Sequence, residues 1–231
     1  MMQFEKDYFE SNRYTLKERV IKRHVFEVLK WASTVVGENL LKGAGKTALD
    51  IGCACGYTST ALEKLGYETC SIDVSKWGLQ QAKKITHGNL LICDAQTQLP
   101  FKKRTFDIVT CFDVLEHLKY PEKAFQQMLA TCCGTLVCTT PNRTMDKPIR
   151  KITRDYDETH INTRYAADWK RSLMNASQAK LIKVDTFLDL SAKLTDKRFF
   201  FKSLRLPKFG LTVRIAVGVS HADFQNFSYC A

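Results

Sequence analysis

The run Thr47-Ala48-Leu49-Asp50-Ile51-Gly52-Cys53-Ala54-Cys55-Gly56-Tyr57-Thr58 constrains this chain more than any other stretch. It reads as a buried strand ending in an acid, a turn of small residues, and the start of a helix. That order makes a platform for a nucleotide-like ligand at the carboxyl end of a strand.

A regular alternation follows. A helix is expected from about Tyr57 to Leu65, ended by Gly66, and then a strand near Glu68–Ile72. Asp73-Val74-Ser75 opens a helix running through Gln80, Ala82 and Ile85; Asn89–Cys93 is a short apolar strand and Phe106–Cys111 a fourth. Pro121 suits the first position of a helix that buries Ala124, Phe125, Met128 and Leu129, and Gly134–Thr140 makes a fifth strand. Strand and helix in turn predict a parallel sheet covered on both faces. Further on, Pro141–His160 reads as a polar, basic surface loop, Tyr165–Gln178 as a helix, and Leu181–Phe187 and Leu211–Val219 as strands that can pair antiparallel. Before the platform, Leu16, Val20, Ile21, His24, Val25, Val28, Leu29 and Ala32 fall at helical spacing on one stripe. The aromatics Tyr8, Phe9 and Tyr14 ahead of it are core residues or a lid over a pocket. Residues 1–45 are thus expected as a helical cap, and 46–231 as the main domain with a basic insertion at about 190–210.

Several alternatives fail on spacing. Gly43-Ala44-Gly45-Lys46-Thr47 imitates a P-loop, but Leu40 stands where its first glycine belongs, and the segment enters a strand. Cys53-x-Cys55 and Cys132-Cys133 lack the paired spacing of a structural zinc site, so no metal is expected. The nine cysteines are an odd number, and Cys70, Cys93, Cys111 and Cys138 lie in or beside strands, as buried thiols do. With no secretory layout at the amino terminus and no apolar run near the roughly 20 residues of a membrane span, a cytoplasmic protein is expected. A net charge of +11 favours acidic partners. Much of it comes from Lys197, Arg198, Lys202, Arg205, Lys208 and Arg214, with no acid between 197 and 214. That segment is a solvated loop or an RNA contact, and Phe199-Phe200-Phe201 within it suits packing, base stacking or a lipid-like substrate.

The charges select the ligand. Asp50, Asp73, Asp94 and Asp113 stand at or just beyond strand ends, which disfavours a pyrophosphate, and Gly52, Ala54 and Tyr57 break the dinucleotide spacing G-x-G-x-x-G. S-adenosylmethionine carries an ammonium and a sulfonium and no phosphate. Asp73 suits its ribose hydroxyls, and Asp94 with the N–H of Ala95 its adenine.

Leu49-Asp50-Ile51-Gly52-Cys53-Ala54-Cys55-Gly56, Ser71-Ile72-Asp73, Cys93-Asp94-Ala95 with Leu99-Pro100-Phe101, and the run Phe106-Asp107-Ile108-Val109-Thr110-Cys111-Phe112-Asp113-Val114-Leu115-Glu116-His117-Leu118 are four motifs in order. Together they closely resemble class I S-adenosylmethionine-dependent methyltransferases, most of all the subgroup with the ubiquinone-pathway O-methyltransferases. The resemblance spans roughly 47–142. It implies a Rossmann-like, seven-stranded, mostly parallel sheet with an antiparallel last strand and helices on both faces. It implies further that Asp50, Gly52 and Gly56 hold the methionine end, Asp73 the ribose and Asp94 the adenine, and Cys53, Val74, Ala95 and Phe112 are expected to bind the cofactor beside them. Ala54 stands where the family commonly has glycine. His117 is the first candidate for a base on the acceptor, with His160 second and Glu116 weaker; Asn142 faces the acceptor or a turn. The expected activity is methyl transfer to oxygen or nitrogen of a small molecule. RNA methylation and a non-catalytic RNA- or partner-binding subunit stand as alternatives, and the oligomeric state is open.

Overall fold

A computed structural model describes residues 4–10, 18–145, 148, 157–177, 181–193 and 199–219. The chain order is α1 (Lys6–Glu10), α2 (Glu18–Val36), β1 (Thr47–Ile51), α3 (Tyr57–Lys64), β2 (Glu68–Asp73), α4 (Lys76–Ala82), β3 (Asn89–Ile92) and β4 (Phe106–Phe112). It continues with a 3-10 turn (Leu115–His117), α5 (Pro121–Thr131), β5 (Cys132–Pro141), α6 (Ala166–Ser177), β6 (Leu181–Lys193), β7 (Phe199–Arg205) and β8 (Thr212–Gly218).

One sheet runs β3-β2-β1-β4-β5-β8-β6-β7. The pairs among β1 to β5 are parallel, while β8 lies antiparallel between β5 and β6. Strand order reverses beside β1, so the β1 and β4 ends flank the crevice where such sheets bind ligands. Side chains alternate across the sheet, as strand geometry requires. Ala48, Ile108, Val137 and Ala216 meet Val25, Val28, Leu29 and Ala32 of α2 on one face. Leu49, Val109, Leu136 and Ile215 meet Phe125, Met128, Trp169 and Leu173 of α5 and α6 on the other. The stripe expected on α2 is therefore buried from Val25 to Ala32, although Leu16 and Tyr14 lie outside the described residues.

The eight-strand count exceeds the seven expected by one edge strand. Residues 199–205, read as a basic loop, form β7, and β6 runs six residues past Phe187 to pair with it from Phe187↔Arg205 to Lys193↔Phe199. The neutralising acids come from β6 rather than from the local sequence. Arg205 pairs with Asp185 at 2.6 Å, and Arg214, 1% exposed, donates to Asp189 at 2.7 and 3.0 Å. Arg214 also stacks over Phe187 and donates to Ser203 Oγ, so it is a core residue and not a solvated one. Lys197 and Arg198 lie outside the described residues, as does most of the basic stretch between Pro141 and His160. Cys53, Cys55, Cys111, Cys132 and Cys138 are buried free thiols, and Cys70 and Cys93 are half-buried.

Candidate active site

The start of the turn after β1 is held to β2 by backbone. The N–H groups of Gly52 and Cys53 donate to the Ile72 carbonyl at 2.8 and 3.1 Å, which binds the turn to the end of β2. Gly52 has φ +72°, and a side chain there would strike Val114 Cγ2 at 2.2 Å; Gly56, at φ +83°, starts α3. Ala54 also takes a left-handed conformation, φ +49°. The turn thus keeps its shape with alanine in the position, at the backbone cost L-residues bear there.

Asp73 closes this cradle. Its Oδ2 accepts the Ala54 N–H at 2.8 Å and its Oδ1 the Ser75 N–H at 2.7 Å. Ser75 in turn caps α4, its Oγ accepting from the Gly78 N–H. One carboxylate therefore ties the β1 turn to the start of α4. Burial lifts the Asp73 carboxyl above its usual range despite these N–H donors.

Asp50 is placed differently. It is 1% exposed and lies beneath the turn, where Ser59 Oγ donates at 2.7 Å and Thr110 Oγ1 at 2.9 Å, with Ser71 behind Ser59 at 3.0 Å. Burial raises its carboxyl to about 7. Val74 at the end of β2 is exposed, Ala95 is buried, and Cys53 is buried in the turn. Asp94 is half-buried with Oδ1 on the Gln96 N–H at 2.8 Å, while Gln96 Oε1 accepts from the N–H groups of Lys119 and Tyr120. Phe112, half-buried at the end of β4, meets His24 edge-on, and Asn142 Nδ2 donates to the carbonyls of Lys208 and Gly210. Asn142 therefore fixes the turn before β8.

Beyond β4 the structure assembles a second cluster. Glu116 is fully buried, and its carboxyl oxygens make no hydrogen bond of good geometry among the described residues, although the Thr140 hydroxyl is close enough to lower its pKa. Burial and the nearby Asp113 hold its carboxyl well above the usual range. The rings of His117 and His160 stand 4.7 Å apart, and one ligand-capable atom from each of Glu116, His117 and His160 falls within 4.8 Å of the others. Burial, reinforced by His160, pushes His117 down to about 4, so its ring is neutral at neutral pH.

The N-terminal segment links the two clusters through rings. Phe4 meets His117 at 5.3 Å and Tyr8 at 5.0 Å; Tyr8 meets Phe9, and Phe9 stacks on Trp77 at 5.4 Å. Trp77 opens α4, and its N–H donates to Glu5. Sequence spacing gave no sign of Phe4, Trp77, Asp157 or Thr159, because each is joined to the site by contacts between distant segments.

A family model described as a methyltransferase domain matches residues 22–187, more than half of the chain. The chain belongs to this methyltransferase family. Its curated relatives include the mitochondrial ubiquinone biosynthesis O-methyltransferase of Schizosaccharomyces pombe, 31% identical over 118 residues, which are 48% of this chain and 43% of that one. Another is the ubiquinone biosynthesis O-methyltransferase of Coxiella burnetii, 34% identical over 109 residues, 43% of this chain and 45% of that one. The chain thus spans less than half the length of these relatives. Among solved structures, a SAM-dependent methyltransferase of Archaeoglobus fulgidus superposes with TM-score 0.67 at 15% identity, over 91% of this chain and 98% of that one. Magnesium protoporphyrin IX methyltransferase of Synechocystis with bound SAH gives TM-score 0.61 at 18% identity, over 93% and 97%. The class I methyltransferase fold read from the four motifs is the fold observed. Among the described residues no helix is long and apolar enough to cross a membrane.

Proposed function

We propose that this methyltransferase domain moves a methyl group from S-adenosylmethionine to a hydroxyl oxygen of a small-molecule acceptor. The observation that carries the reading is the cradle closed by Asp73. A buried carboxylate ties the turn after β1 to the start of α4, with Asp94 beyond the neighbouring strand and no Lys or Arg among 50–56, 73–75 or 94–97. Acids at two strand ends, with no cation in the turns that carry them, fit a phosphate-free, cationic ligand. When bound, the cofactor supplies an electrophilic methyl group on a sulfonium.

In this reading Asp73 accepts from the ribose hydroxyls, Val74 offers it an apolar flank, and Asp94 with Ala95 meets the adenine. Gly52, Cys53 and Gly56 leave room for the methionine portion, and Phe112 lies beside it. Asp50 acts from beneath, holding the turn through Ser59 and Thr110. Segment 4–10, resting on His117 and Trp77, serves as the lid that excludes water. His117, neutral and beyond β4, takes the proton from the acceptor hydroxyl; His160 shapes the acceptor side.

One observation favours a second route to the same outcome. The buried carboxyl of Glu116, once deprotonated, forms with His117 and His160 a donor set suited to a divalent cation. A cation there would lower the acceptor's hydroxyl pKa directly. The pairing of Arg205 and Arg214 with acids of β6 supports a small acceptor over RNA, since it removes two charges from the basic face. The free thiols fit a reducing compartment, and we place the protein in the cytoplasm on that basis.

Incubation with methyl-tritiated S-adenosylmethionine, a simple catechol and total RNA separates these readings. Label in the catechol supports the proposal, label in RNA overturns the acceptor class, and inhibition by a chelator reversed by a divalent metal assigns the proton step to the second route.

A further inference from the structure

Asp157 lies 40 residues from His117 in sequence, yet the two are joined through one hydroxyl. Thr159 Oγ1 is 2.5 Å from Asp157 Oδ1 and 2.8 Å from His117 Nδ1. The Thr159 N–H also donates to Asp157 Oδ1, at 2.9 Å, so the carboxylate grips Thr159 twice. Both bonds run to one carboxylate oxygen, which accepts the N–H and leaves the hydroxyl as the second donor. An ionised carboxylate only accepts, so the single Thr159 hydroxyl proton points at Asp157. The hydroxyl's lone pairs then face His117, and Nδ1 has to be the donor. The Thr159 carbonyl, 3.2 Å from the same Nδ1, makes the same demand, since a carbonyl has no proton to give. The proton of neutral His117 therefore sits on Nδ1, and Nε2 carries the lone pair.

The second carboxylate oxygen faces elsewhere. Asp157 Oδ2 accepts from the hydroxyl of Tyr8, on α1, at 3.4 Å and lies 3.5 Å from His160 Nε2. Tyr8 in turn packs against Phe4, whose ring edge meets His117. The acid that sets the His117 tautomer thus also takes a polar contact from α1, whose Tyr8 hydroxyl lies beside Thr159 as well.

We propose that Asp157 is a positioning residue: through Thr159 it fixes His117 with its lone pair on Nε2, and through Tyr8 it couples that state to the seating of the N-terminal segment. Its use in catalysis rests on the reading of His117 given above, because Nε2 must be bare either to take a proton or to bind a cation. Seating of residues 4–10 and preparation of His117 become one event, in which a site open to water holds His117 less firmly in the competent tautomer.

The test uses the full chain labelled with nitrogen-15 in histidine. Long-range proton–nitrogen spectra distinguish a protonated from a bare ring nitrogen at His117. The expected result is a protonated Nδ1 in the wild type, a mixture of tautomers in Asp157→Asn and Thr159→Val, and recovery of the wild-type pattern in Thr159→Ser. A proton on Nε2 in the wild type, or an unchanged His117 in folded Thr159→Val, overturns the proposal. Coupling is read by amide exchange: loss of the Tyr8 hydrogen bond in Tyr8→Phe should speed exchange in 6–10 about tenfold and shift the His117 signals toward the mixed state. Fast exchange with unmoved His117 signals removes the coupling. Tyr8→Phe also serves where Asp157→Asn fails to fold. Calorimetry with S-adenosylhomocysteine on the wild type is run alongside, so failure of the cofactor reading shows there, independently of the tautomer.

Discussion

The N–H of Ala54 donates to Oδ2 of Asp73 across 2.8 Å, joining the turn after β1 to the acid that ends β2. The two residues are 19 apart in sequence, and the parallel pairing of β1 with β2, Asp50↔Ser71 and Ile51↔Ile72, brings them together. The same carboxylate shapes the cradle and, in the proposed function, accepts from the ribose. Asp73→Ala should therefore lose a charge-assisted hydrogen bond to the turn and one to the ligand. At about 1.5–3 kcal/mol for each bond of that kind, S-adenosylhomocysteine affinity should fall at least about tenfold. Asp73→Asn, which keeps one acceptor oxygen, should lie between. Calorimetric titration of both variants checks the order.

Ala54 at φ +49° bears strain that glycine would not. A left-handed L-residue costs about 1–2 kcal/mol, while glycine's extra chain entropy returns about 0.5–1 kcal/mol. Ala54→Gly is expected to stabilise by a few tenths to about 1 kcal/mol, raising Tm by about 1–4 °C for a chain of this size. Affinity for S-adenosylhomocysteine should hold or improve. A lower Tm, by differential scanning calorimetry, would contradict the assignment of strain to this residue.

His117 gives the acid side of the stability profile a definite sign. Its folded value, about 4, lies below the usual 6.5 because burial disfavours the charged ring. The unfolded chain then binds more protons between those values, so stability is full above about pH 6.5 and falls as the pH drops toward 4. The shift corresponds to about 3 kcal/mol. His117→Gln, which does not titrate, should lose less stability than the wild type between pH 6.5 and 4.5 in urea titrations. Parallel losses in the two proteins would place the His117 pKa near its ordinary value.

Arg214 is the sharpest test of the packing around the added edge strand. Its guanidinium is buried between α2, β6 and β7 and holds Asp189 at 2.7 Å; His24 first and Arg214 second keep that carboxyl down at about 2 against its burial. Removing one partner of a buried pair costs about 3–5 kcal/mol because the other charge stays behind. Arg214→Met should therefore melt about 6–20 °C lower, and Arg214→Met with Asp189→Leu should recover part of the loss. A double variant no better than the single one would show that the charge left on Asp189 is not the source of the loss.

The parts of the molecule legible in the sequence are those set by local pattern. The β1 turn, the acids at strand ends and the alternation from 47 to 141 depend on spacing alone, and Pro121 and Ser75 mark their helix starts where expected. Arg214 was unreadable because its counter-charge, Asp189, lies on another strand and is chosen by the β6–β8 register. β7 was hidden for the same reason: 197–214 carries no acid, and its neutralising partners arrive through tertiary pairing. Asp50 shows a subtler gap. Its position at a strand end was clear, but whether its carboxylate faces the crevice or the hydroxyls of Ser59 and Thr110 is decided by side-chain packing beneath the turn. His117 and His160 stand out in the sequence by residue type, after β4 and after the loop that follows β5, whereas the Tyr8, Asp157 and Thr159 contacts around them span up to 149 residues of chain.

In the proposed function the crevice beside β1 takes S-adenosylmethionine through Asp73. Isothermal titration of the full chain with S-adenosylmethionine and S-adenosylhomocysteine tests it most directly. The account predicts saturable one-to-one binding of both by the wild type and at least about tenfold weaker binding by folded Asp73→Ala. No heat of binding up to millimolar concentration, or undiminished affinity in Asp73→Ala, would contradict it.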